Sequence, residues 1–128
     1  MRFLLDTCSF LWLQAEPDRI PAPLLDQFRL PANDLFLSAA SAWEIAEAWA
    51  EGQITLPEHP SVYIPSRREL SGIQPLAVSE EAMLQLANLP PAHQDTVDRI
   101  LVCQAIVDGL TLASPNPVMR RYPVRVQW

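Results

Sequence analysis

The sequence predicts an α/β domain in which a small, mostly parallel sheet is flanked by helices. Three observations carry this expectation. Short apolar runs alternate along the chain with stretches whose apolar residues recur at helical spacing. The best of these runs, such as Arg2–Leu5, are continuous rather than alternating, the pattern of a strand covered on both faces. Finally, the thirteen prolines are unevenly spread: none falls between residues 32 and 56 or between 92 and 114, so both windows can hold uninterrupted elements.

Each element can be justified in order. Arg2–Leu5 is a strand that stops at Asp6. Ser9–Gln14 reads as one or two helical turns. Pro21–Leu30 reads as a helix with proline near its first turn, where a missing N–H costs little. Leu35–Leu37 is a second short strand. Ser41–Glu51 is a helix that Ser41 can cap and Gly52 can end. Pro60–Leu70 is a candidate helix, and Ile73–Leu76 a third strand weakened by Pro75. Ser79–Asn88 is a helix capped by Ser79, with Ala82, Leu86 and Leu89 on one face. Asp95–Asp108, closed by Gly109, is the strongest helix. Leu110–Ala113 and Val124–Trp128 complete the sheet.

Size and composition narrow the function. A chain of 128 residues and 14.4 kDa is one domain's worth, read here as a single domain over 1–128. A folded surface of roughly 7,000 Å² against roughly 21,000 Å² unfolded leaves room for a real core. Only three glycines occur, so neither a dinucleotide-binding glycine motif nor a phosphate-binding loop can be written. Cys8 and Cys103 form no C-x-x-C pair and, with His59 and His93, offer no zinc-finger spacing; they point to a reducing, cytoplasmic setting. The N-terminal Met1-Arg2-Phe3-Leu4-Leu5 mimics a signal peptide only briefly before Asp6 interrupts it, and no stretch suits a membrane span. Net charge is −6, and all nine basic residues are Arg. An acidic chain is poor non-specific glue for nucleic acid.

Four polar positions stand out. Asp6 follows the first strand, at the edge where parallel sheets collect their chemistry, although a helix N-cap or Asx-turn would use the same residue. Asp98 lies on a helix that is apolar almost all round, on one face with Leu101, Val102 and Ala105. It is either a buried functional acid or the far half of a capping box with Asp95. Glu44 closes a Ser41-x-x-Glu44 spacing that capping alone explains, with Glu47, Ala48 and Glu51 suggesting a solvent face. Asn116, in Ser114-Pro115-Asn116-Pro117, is a turn residue or a polar group beside Asp6. His93 reads as a loop histidine of structural or solvated character, and the four tryptophans as core or interface anchors.

Taken together, these positions bring a family into view. The chain resembles PIN domains, specifically the VapC-like toxins of bacterial toxin–antitoxin pairs. The likeness rests on Phe3-Leu4-Leu5-Asp6-Thr7 with Leu11-Trp12, on Ser38–Ile45, on Leu89–Leu101, and on Leu110–Asn116 with Tyr122 and Val124–Trp128. Only residues 53–78 match poorly.

The resemblance implies a PIN-like three-layer sandwich and metal-dependent endonucleolytic cleavage of RNA. It implies that Asp6, Glu44 and Asp98 are the catalytic acids and hold Mg²⁺ or Mn²⁺, hard cations suited to oxygen ligands. Asn116 is a further candidate ligand, standing where many relatives carry a fourth acid. Because it brings no charge, it favours one ion over two. Ser114 and Arg99 are supporting residues. Arg99, Arg67, Arg68, Arg120 and Arg121 are the candidates for RNA phosphate contact. The implied partners are RNA, a small antitoxin protein lying across an apolar groove walled by Ser9–Gln14 and Ser41–Trp49, and a second copy in a homodimer. No membrane partner is implied. Two other readings stay open: a catalytically impaired PIN domain kept as a protein-binding module, and a phosphatase using Asp6 as nucleophile, which lacks the second acid that chemistry wants because Cys8 stands there.

Overall fold

The computed structural model describes all of residues 1–128. Five parallel strands form one sheet in the order β3-β2-β1-β4-β5: β1 Arg2–Leu5, β2 Asp34–Ser38, β3 Ile73–Leu76, β4 Thr111–Ala113 and β5 Val126–Gln127. Six helices connect them: α1 Thr7–Ala15, α2 Ala22–Arg29, α3 Ala39–Ala50, α4 Pro60–Ser71, α5 Glu80–Leu84 and α6 Thr96–Asp108. Short 3-10 turns follow α1, α5 and β4.

Alternation along the strands splits the core into two layers. Phe3, Leu5, Leu35, Leu37 and Ile73 point to the face covered by α1, α2 and α4, where they meet Phe10, Leu24, Phe28 and Ile64. Leu4, Phe36 and Leu112 point to the face covered by α6, where they meet Leu101, Val102 and Ala105. The central β1 is therefore buried on both sides, as its unbroken apolar run requires. The folded surface is 7010 Å², in line with the size expectation. No helix is long and apolar enough to cross a membrane.

Several boundaries differ from the sequence expectation, each for a local reason. The helix expected over Ser41–Glu51 begins earlier, because Ser38 rather than Ser41 caps it: Ser38 Oγ accepts the Ala40 N–H at 3.0 Å. Ser41 is instead buried inside the helix with its hydroxyl unpartnered, so the Ser41–Glu44 capping box does not form. The helix expected over Ser79–Asn88 is α-helical only to Leu84, and Leu86 is exposed rather than buried with Ala82. Pro75 sits on the edge strand β3, where a missing N–H is tolerated. The final strand shortens to Val126–Gln127. Trp43 is exposed, not an anchor in the core.

The strand order reverses direction at β1. The chain runs outward through β2 and β3 on one side, then returns to β4 and β5 on the other. The crevice beyond the C-terminal ends of β1 and β4 is thus the topological switch point, where ligands bind in open α/β sheets.

Candidate active site

Asp6, Ser114 and Asn116 follow directly from β1 and β4, so strand topology alone brings them to that crevice. Asp6 is buried and caps α1. Its Oδ1 accepts the Ser9 N–H at 2.8 Å and the Ser9 hydroxyl at 2.6 Å. Ser9 in turn lies close to β4, within 3.0 Å of the Ala113 carbonyl. Glu44 enters from the second turn of α3 and is half-buried, whereas Glu47 and Glu51 face solvent. Asp98 enters from the first turn of α6. Asp95 is the N-cap there, accepting the Asp98 N–H at 2.9 Å. Asp98 does not reach back to complete a capping box. Its Oδ2 faces His93 Nε2 at 3.1 Å and the Asn116 amide at 3.4 Å.

The three acids share one electrostatic environment. Burial pushes the Asp6 carboxyl above its ordinary value, the Ser114 and Ser9 hydrogen bonds oppose this, and the Asp98 charge adds to it. Glu44 is raised by burial and by the charges of Asp95, Asp98 and Asp6, against the nearby Thr7 hydroxyl. Asp98 is raised by burial, partly offset by His93. Burial and the charges of Asp6, Glu44 and Asp98 raise the thiol of the neighbouring Cys8. No Arg lies within salt-bridge distance of any of the three, the only basic neighbour being His93 beside Asp98. Carboxylates gathered without cations in a partly desolvated crevice destabilise one another unless a proton or a metal ion offsets them.

The donor set suits a hard divalent cation held by one or two carboxylates and water. The side chains as they stand do not form a ready cage: no three His, Cys, Asp or Glu residues make a group that could hold an ion unaided. Asn116 contributes differently from the expectation. Its Oδ1 accepts the Val118 N–H at 3.1 Å, capping the 3-10 turn Pro117–Arg121, so in this arrangement its NH₂ rather than its carbonyl oxygen faces Asp98.

Arg99 points away from Asp98 into the loop before α6. It donates to the His93 carbonyl at 2.9 Å and reaches the Tyr122 hydroxyl at 3.4 Å. Of the other candidate arginines, Arg68 is tied to the Ile73 carbonyl and Arg67 lies over the Tyr63 ring. Arg120 reaches the Val126 carbonyl, while Arg121 is exposed. His93 and Tyr122 are neighbours of Asp98 that sequence reasoning did not bring to this crevice. The signal was a histidine five residues ahead of an acid at a helix start.

A separate apolar groove of about 480 Å³ runs between α3 and α4, lined by Ala42, Ala46, Trp49, Pro60 and Ile64. One wall of it belongs to the Ser41–Trp49 segment. Ser9–Gln14 does not line this groove.

The sheet order, the helical layers on both faces and the acid-rich switch point define the class of structure: a PIN-like α/β sandwich. Comparison with known proteins agrees. No protein-family model matches the chain. A stretch of 46 residues is 46% identical to Ribonuclease VapC16 of Mycobacterium tuberculosis (strain ATCC 25618 / H37Rv), covering 36% of this chain and 33% of that protein. The match thus spans about a third of the curated relative's length. Among solved structures, VapBC2 from Rickettsia felis, bound to a DNA fragment from their promoter, matches with a TM-score of 0.75 at 14% identity over 99% of this chain and 98% of that one. VapBC-1 from nontypeable Haemophilus influenzae matches with a TM-score of 0.68 at 19% identity, covering 99% and 97%. At such identities the likeness is one of fold. Together these findings bear out the fold and the VapC-like resemblance read from the sequence.

Proposed function

We propose that this chain is a divalent-metal-dependent endoribonuclease, the toxin of a toxin–antitoxin pair, which hydrolyses RNA phosphodiester bonds in the cytoplasm. The observation that carries this reading is the convergence of Asp6, Glu44 and Asp98 at the switch point with no Arg to neutralise them. Mg²⁺ or Mn²⁺ bound there would acidify an attacking water and offset charge on the phosphate.

The remaining work falls to the protein. Ser9 fixes Asp6 through two donors, and His93 with Asn116 fixes Asp98. Carboxylates anchored in this way need not reorganise when charge develops nearby. Because three acids would repel RNA in the absence of a cation, binding and cleavage should depend together on the ion. The test is cleavage of single-stranded RNA. Activity with Mg²⁺ or Mn²⁺ that is lost in Asp6→Asn, in Asp98→Asn and on chelation supports the reading. Cleavage surviving all three refutes it.

Two protein partners belong to the same proposal. The groove between α3 and α4 suits an apolar antitoxin segment, and an acidic chain suits a basic one. Exposed Met83, Leu84 and Leu86 form an apolar surface suited to a second copy. A second reading, a binding module without catalysis, draws on the missing ready-made cage and on the Asn116 amide facing Asp98. Absence of Mn²⁺ binding at millimolar concentration would favour it.

A further inference from the structure

We infer that His93 is a positioning residue for Asp98, backed by Tyr122 and Arg99. This inference rests on reading Asp98 as a carboxylate of the RNA-cleaving site.

The geometry carries a direction. Arg99 can only donate, and its guanidinium lies 3.4 Å from the Tyr122 oxygen. With its oxygen facing the Arg99 donor, the Tyr122 hydroxyl has its own proton free to donate to His93 Nδ1, 2.6 Å away, and this is the direction we assign. Nδ1 is then an acceptor, which leaves the ring proton on Nε2, facing Asp98 Oδ2 at 3.1 Å. Three hydrogen bonds therefore run one way, from Arg99 to the carboxylate. Arg99 and Asp98 are adjacent on α6 and point about 100° apart, so the side chains cannot meet directly. The loop histidine and Tyr122 close the circuit between them. Arg99 also holds the His93 carbonyl at 2.9 Å, fixing the loop that carries the ring.

The consequence lies at the second oxygen of Asp98. Oδ2 receives both His93 and Asn116, whereas Oδ1 has no protein donor. Asp98 thus has one oxygen committed to protein donors. On Asp98 this leaves Oδ1 as the atom presented to a ligand. The network joins the loop before α6, the first turn of α6 and the segment after the last 3-10 turn, and a turn histidine serving only its own loop would not need to span all three.

The test uses the purified chain with His93→Ala, His93→Gln and Tyr122→Phe, and with Asp98→Asn as reference. Mn²⁺ affinity is read by calorimetry, and kcat and KM by RNA cleavage. His93→Ala is expected to weaken Mn²⁺ binding or kcat by about 10-fold or more with KM little changed, the usual cost of losing a group that orients a ligand. His93→Gln, whose amide N–H can replace the ring N–H, should recover to within about threefold, and Tyr122→Phe should fall between. Unchanged affinity and kcat in His93→Ala, alongside a dead Asp98→Asn, overturns the inference alone. Unchanged behaviour in Asp98→Asn overturns the site reading and the inference together. Should His93→Ala not fold, the Gln and Phe variants carry the same comparison. Nitrogen chemical shifts of the His93 ring give an independent readout: the Nε2–H tautomer is expected, and an Nδ1–H tautomer overturns the inference.

Discussion

Replacing Asp6 with Asn separates a functional carboxylate from a structural cap. Asn caps helices about as well as Asp. Its side-chain oxygen can still accept the Ser9 N–H and hydroxyl that Asp6 Oδ1 holds at 2.8 and 2.6 Å. What the change removes is a buried charge that burial and Asp98 both disfavour. Burying an ion costs several kcal/mol, of which charge-assisted hydrogen bonds return only part, so the metal-free variant should gain about 1 kcal/mol. Unfolding entropy for a chain of this length is about 0.27 kcal/mol/K, so the midpoint should rise by roughly 4 °C. Calorimetric melts at pH 7 without divalent metal provide the assay, with Mn²⁺ added in a second series. Wild type should gain about 10 °C at a hundredfold excess over its dissociation constant, from about 2.7 kcal/mol of linkage, and the variant far less. Asp6→Ala should be destabilised, because Ser9 loses its acceptor. A melting temperature in Asp6→Asn that does not rise, with an unchanged Mn²⁺ response, would show that the carboxylate is only a cap.

Other outcomes follow from the same structure. Because the carboxyls of Asp6, Glu44 and Asp98 are raised in the folded state, the native chain holds those protons more tightly. That stabilisation is complete below the unfolded pKa values and is lost as pH rises through the folded ones, so the metal-free melting temperature should fall from pH about 4 upward. A melting temperature that instead rises over this range would contradict the pKa directions. Ser38→Ala should cost about 1 kcal/mol in denaturant titrations, while Ser41→Ala should be neutral or stabilising. The reverse order would restore the cap to Ser41. Gly109 ends α6 at φ +66°, so Gly109→Ala should cost about 1 kcal/mol in the same titrations.

The sheet was legible because buried parallel strands must be apolar on both faces, and Arg2–Leu5 can be little else. Proline spacing then located α3 and α6. Less legible was the choice among neighbouring serines: Ser38 and Ser41 both precede the helical pattern, and only the end of β2 makes Ser38 the cap. The acids were legible as positions. Asp6 follows a strand, and Asp98 breaks an apolar helix. Their partners were not, because His93, Tyr122 and Arg99 meet through tertiary packing that no local pattern encodes. Asn116 shows a further limit, since its residue type allows either carbonyl or NH₂ to face the site. The Val118 N–H decides that orientation only in the folded chain.

Metal binding at the switch point is the central claim, and anomalous diffraction from crystals soaked in Mn²⁺ tests it most directly. A single peak in ligand contact with Asp98 Oδ1 and with Asp6 or Glu44, absent from Asp98→Asn crystals, is the result expected. Soaked crystals with no peak near these carboxylates, or with a peak that persists in Asp98→Asn, would contradict it.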